Sequence, residues 1–120
     1  MGKILLYNVN MMKADAIIKV AGNLGHTVQI VSKDQFGIPV GVIAMGVPSV
    51  MKSVSSNITI PGELMVMIGL IGNSIDEFLD AYNGAGISKI ECKAVLTAAN
   101  SKLNARQLYD DLIEHAKKVK

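Results

Sequence analysis

The sequence predicts an α/β fold: a small open, mainly parallel four-stranded sheet in the order 2-1-3-4, with helices on both faces in a Rossmann-like three-layer arrangement. Three observations carry this. Short apolar runs alternate with longer segments of helical periodicity, in the order β-α-β, an irregular stretch, then β-α-β-α. Two of the runs, Ile4-Leu5-Leu6-Tyr7 and Leu64-Met65-Val66-Met67-Ile68, are almost wholly apolar, as strands covered on both faces are. The fourth run, about Ile90 to Leu96, carries Glu91 and Lys93, charges that suit a sheet edge and discourage pairing with another sheet. Strands 1 and 3 therefore belong in the centre, and the right-handedness of crossovers narrows the remaining arrangements.

Each element has its own signature. After the first strand, Asn8 to Asn10 forms a turn in which Asn10 suits a helix N-cap. Ala14, Ile17, Ile18, Ala21 and Leu24 recur at helical spacing, and Gly25 stands where a left-handed residue ends a helix. His26 to Val31 alternates and contains β-branched residues, which predicts the second strand. Phe36 to Gly62 lacks a sustained period. A short helix is expected within Val40 to Lys52, Gly41 to Met45 fits either a strand or a helical turn, and Ser49 to Asn57 is expected as a loop. After the third strand, Gly69 to Asn73 turns the chain. Ser74-Ile75-Asp76-Glu77 then has the form of a capping box, with Ile75, Phe78, Leu79 and Tyr82 as the buried stripe and Gly84 and Gly86 closing the helix. Asn104-Ala105-Arg106-Gln107 is a weaker box opening the last helix, whose stripe is Ala105, Leu108, Tyr109, Leu112, Ile113 and Ala116.

The chain's 120 residues are the size of one domain, spanning 1–120. Half are apolar and 4% aromatic, so the core is expected to be aliphatic and rich in Met. Twelve basic residues oppose ten acidic ones, and Arg106 is the single Arg. Base-edge reading and phosphate clamping favour Arg, so no nucleic-acid partner is expected. The longest uncharged stretch, Gln35 to Met51, is interrupted by Pro39 and Pro48 and is too short to span a bilayer, so no membrane partner is expected either. The lone cysteine, Cys92, forms no intramolecular disulfide and points to a cytoplasmic setting.

Ligands in open α/β sheets bind beyond the carboxyl ends of the strands, near the point where strand order reverses. That rule puts the loops after Asn8, Ser32, Gly69 and Thr97 around one mouth, and assigns ligand binding to Asn8, Gly69, Thr97, Asn100 and Lys102. The loop Thr97-Ala98-Ala99-Asn100-Ser101-Lys102 is the most informative of these, because Thr97 and Asn100 offer side-chain donors and Lys102 adds a cation, with no acid before Asp110. Two readings stand: Thr97 and Asn100 hold an anionic ligand, or they only tie the turn together. At Gly69 to Ser74 the helix start has free amides, but Asp76 and Glu77 already occupy its first turn, which favours a plain capped turn. Neither a Walker lysine nor spaced dinucleotide glycines follow the first strand. Cys92 alternates with Ala94 and Leu96 and is expected to pack as a small hydrophobe, while Lys93 is expected to solvate the edge. His26, His115 and Cys92 have no metal-ligand spacing, so no metal and no cofactor are expected, and no catalytic residue is assigned. Met11, Met12, Met45 and Met51 fall in less ordered regions, where two readings stand: core filling, the commoner use of Met, or partial exposure on an adaptable binding surface.

Leu96-Thr97-Ala98 is similar to the end of the fourth strand in response-regulator receiver domains, but Gly69 stands where those need a phosphoacceptor Asp, so receiver function is not implied. A fuller resemblance runs through Lys93 to Thr97 with Asn100, Met65 to Gly69, Glu77 to Leu79, Gly86-Ile87, and the segment Ile38-Pro39-Val40-Gly41. These residues resemble the bacterial family known as domain of unknown function 3783. The chain departs from it at Ser101-Lys102-Leu103, where the family tends to carry an aromatic. The resemblance implies the fold and a cytoplasmic bacterial protein, and it implies no reaction. The expected function is a non-catalytic binding or regulatory module that associates with itself or with another protein. The alternative is a small enzyme or sensor that binds an anionic metabolite at the carboxyl edge of the strands.

Overall fold

Side chains alternate across four strands, and the sheet they form separates two apolar cores. In the computed structural model, which describes residues 2–46 and 58–119 (116–119 as backbone), the elements are β1 (Lys3–Tyr7), α1 (Met11–Asn23), β2 (Thr27–Val31), α2 (Val40–Ala44), β3 (Leu64–Ile68), α3 (Ser74–Gly84), β4 (Cys92–Val95) and α4 (Ala105–Val119). Single 3-10 turns follow β2 at Lys33–Gln35 and β4 at Asn100–Lys102. The strand order is β2-β1-β3-β4. β2 runs parallel to β1, and β4 runs parallel to β3. The central pair, β1 and β3, is antiparallel, with Lys3 opposite Ile68 and Tyr7 opposite Leu64. The molecule is thus two parallel βαβ units joined along an antiparallel seam.

On one face Ile4, Leu6, Met65 and Met67 meet Ile17 of α1 and Phe78 of α3. On the other, Leu5, Tyr7, Leu64 and Val66 meet Ile43 of α2 and Leu108 of α4. This is the expected three-layer arrangement, and the α2 core also takes in Phe36, Ile38 and Ile60. The short helix expected after Val40 forms at its first residues, so Gly41 to Met45 is helical rather than extended. Ser49 to Asn57 lies outside the described residues.

Helix ends follow local chemistry. Asn10 caps α1, its Oδ1 accepting from the Lys13 amide at 2.9 Å. At the far end the His26 amide reaches the Ala21 carbonyl and the Gly25 amide reaches that of Gly22, the paired bonds of a Schellman motif, with Gly25 at φ 82°. Asn104 and Gln107 form the reciprocal box at α4: each backbone amide donates to the other's side-chain oxygen, at 3.0 and 2.9 Å. The box expected at Ser74 does not form. The chain is already helical at Asn73 (φ −80°, ψ 0°), so Ser74 is the first helical residue rather than the cap, and Asn73 makes no side-chain capping bond.

Candidate binding cleft at one end of the sheet

The antiparallel seam separates the residues expected to share one mouth. Asn8 follows β1 at the end where β3 begins, whereas Gly69, Thr97, Asn100 and Lys102 follow β3 and β4 at the opposite end. The single mouth over Asn8, Gly69 and Thr97 is therefore corrected: β1 and β3 do not share a carboxyl end. Asn8 has a different occupation. It sits at φ 61°, and its Nδ2 donates to the carbonyls of Ile60 (3.2 Å) and Gly62 (2.9 Å), fastening the segment that leads into β3.

At the other end, the Thr97–Lys102 turn is closed by its own side chains. The Thr97 amide donates to Asn100 Oδ1 at 2.8 Å, and the Asn100 amide to Thr97 Oγ1 at 3.1 Å. Asn100 Nδ2 donates to the Val95 carbonyl at 3.0 Å, and Ser101 Oγ to that of Ala98 at 2.9 Å. Both ends of the Asn100 amide are therefore committed to the turn. α2 docks against this turn: the Val40 amide donates to the Leu103 carbonyl at 2.8 Å. Gly41 makes the approach possible, since a Cβ there would lie 2.7 Å from Ser101 Cβ and 2.9 Å from its carbonyl oxygen. Lys3 reaches the same region, its Nζ 3.5 Å from the Ala44 carbonyl.

Between α2 and the turn lies a cleft of about 510 Å³, walled by Pro39, Val42, Met45, Leu96 and Ser101, with Lys102 its one charged lining residue among the described residues. Met45 is 87% exposed and Val42 is also exposed. Of the expected site residues, the cleft takes in Lys102 alone. Pro39, Val42 and Leu96 were not legible as lining residues, because they come from an aperiodic segment and from just beyond a strand end. The available signal was the unpatterned Met45, which does prove exposed, as do Met11 and Met12. Met51 lies outside the described residues.

The opposite end holds a polar cluster that the sequence did not disclose. Lys13 Nζ lies 2.6 Å from Glu63 Oε1, with only 8% of the lysine side chain exposed, and 3.5 Å from the Lys89 carbonyl. The Tyr82 hydroxyl donates to the Ser88 carbonyl at 2.5 Å, and burial, with the nearby Glu63 charge adding to it, pushes its pKa up to about 12. Lys93 is half-buried and folds back onto the Ile90 carbonyl at 3.1 Å instead of standing free in solvent. His26 accepts the Gly2 amide at Nδ1 (3.0 Å), tying the N-terminus to the start of β2. Cys92 is buried, and burial raises its thiol pKa, with Glu91 adding and Lys93 opposing, so the packing thiol stays protonated. Among the described residues, no group of three or more His, Cys, Asp or Glu is placed to hold a metal ion, and no helix is long and apolar enough to cross a membrane.

These features define a small three-layer α/β domain with a mixed sheet and a lysine-rimmed apolar cleft. Residues 63–117, from the last residue before β3 into α4, match the family model described as a domain of unknown function (DUF3783). No curated protein and no solved structure matches the chain.

Proposed function

We propose that this chain is a non-catalytic binding or regulatory module, and that its working surface is the cleft between α2 and the Thr97–Lys102 turn, which takes a small anion with an apolar body. The cleft itself carries this reading. About 510 Å³ falls within the size range of small-molecule sites, and apolar walls with the Lys102 cation at the rim match a carboxylate or phosphate head on an aliphatic or aromatic body. The alternative, a small enzyme or sensor acting through Thr97 and Asn100, has less support, because those side chains are engaged in closing the turn. The lone buried Cys92 and the resemblance to a bacterial family support a bacterial cytoplasmic setting.

A thermal-shift comparison of medium-chain carboxylates, phosphomonoesters and neutral alcohols of the same length tests this. The anionic compounds are expected to raise Tm by the equivalent of roughly 2–3 kcal/mol at about a hundredfold excess over Kd. The alcohols should shift it less, and Lys102→Gln should remove the difference between them. Silence across the panel, or an anion effect that survives Lys102→Gln, rejects the reading.

A further inference from the structure

The two edges of the sheet are unlike. β4 is short, carries Lys93 and is preceded by Glu91. β2 is Thr27-Val28-Gln29-Ile30-Val31, with no charge and no proline, and it pairs with β1 in unbroken register from Thr27 to Val31. It ends the sheet, with β1 as its one strand neighbour among the described residues. Natural edge strands are ordinarily blunted by charge, proline or a bulge, and β2 has none of these.

The backbone fixes which groups face outward. The Thr27 amide donates to Gly2 in line with β1, so Thr27, Gln29 and Val31 turn their amides and carbonyls toward β1. Those of Val28 and Ile30 point away from the sheet. Ile30 is 40% exposed and lies on the same face as Val28, which packs on the α1/α3 core.

We propose that β2 pairs antiparallel with β2 of a second copy across a two-fold axis at Gln29, joining two four-stranded sheets into one. Only this axis pairs all five residues of the strand. It sets the outward groups of Val28 against those of the partner's Ile30, and the reverse, so both pairs exchange their bonds. Val28 and Ile30 of the two copies then form one continuous apolar patch. No charge lies within the strand to oppose its like. Continuing the register brings Lys33 level with the partner's Gly25, just beyond a helix whose last turn carries no basic residue of its own. The interface is distinct from the α2 cleft, so its failure leaves the ligand reading standing.

Sedimentation equilibrium on the full chain tests the pairing. The wild type is expected to be dimeric at submillimolar concentration. Gln29→Lys places two ammonium groups together at the axis and should give a folded monomer, folding being checked by circular dichroism. Mixing it with Gln29→Glu should restore the dimer, whereas Val95→Lys on the other edge should leave it intact. As a measurement independent of those charges, Gln29→Cys should cross-link under mild oxidation. Residues at the axis form a non-hydrogen-bonded pair with Cα atoms about 4.5 Å apart, within disulfide reach. Thr27→Cys should not cross-link, because its copies stand about 13 Å apart. A wild-type monomer, a dimer that survives Gln29→Lys, or equal cross-linking at 27 and 29 overturns the proposal.

Discussion

Tyr7 is fully buried, stacks obliquely on Phe36 with ring centroids 5.5 Å apart, and has no hydrogen-bond partner for its hydroxyl among the described residues. A buried polar group left unpaired costs roughly 1–3 kcal/mol. Tyr7→Phe is therefore expected to leave stability unchanged or to raise it by about 1 kcal/mol, read from the urea midpoint at constant m-value. A clear loss of stability would mean that the hydroxyl has a partner. The sequence marked Tyr7 as a strand residue but gave no sign of the orphaned hydroxyl, which depends on how Phe36 and α4 pack from far along the chain. Asn8 was legible as a turn residue for the same local reason that it tolerates positive φ. That its amide holds Ile60 and Gly62 depends on which end of β1 meets β3, and no residue near Asn8 records that.

At the scale of elements, the caps at Asn10, Gly25 and Asn104 were readable because each is a contract among neighbours in sequence. Ser74 failed because a box motif names residue types and leaves open where the helical backbone begins, here one residue earlier. The Thr97–Lys102 turn had two open readings, and the hydrogen bonds favour the structural one. Asn100→Ala removes the bonds to the Thr97 amide and the Val95 carbonyl, and is expected to cost about 1–2 kcal/mol in chemical denaturation. The ligand-induced rise in Tm should persist in that variant. If the rise vanishes while stability is retained, Asn100 touches the ligand and the turn is itself a site.

At the scale of the whole molecule, strand order and layers followed from composition: apolar strands in the centre, a charged one at an edge. Strand direction was not legible at the seam, because the connection from β2 to β3 is long enough to return the chain either way. The family match starts at Glu63, one residue before β3, and so takes in the second βαβ unit with α4. Stability against pH is also a property of the whole. Tyr82 ionises near 12 in the fold against 10.0 when exposed, and burial raises Tyr7 as well. Between these values the unfolded chain has lost protons that the folded chain keeps, so stability falls with rising pH. Denaturant midpoints should thus be insensitive to the tyrosines below about pH 10 and decline toward pH 12, and Tyr82→Phe should soften the decline. A midpoint that climbs across that interval contradicts the assignment.

The seam has an electrostatic consequence. In an all-parallel sheet, helices on one face point their amino ends the same way, and their macrodipoles add at the mouth where anions bind. Here α1 starts where β1 ends and α3 starts where β3 ends, at opposite ends of the sheet, and the two pack against the same core. Their dipoles oppose and largely cancel, so across that face neither end of the sheet gathers a summed positive field. An anion arriving at the α2 cleft, on the other face, meets the point charge of Lys102 without summed dipoles from the α1/α3 layer.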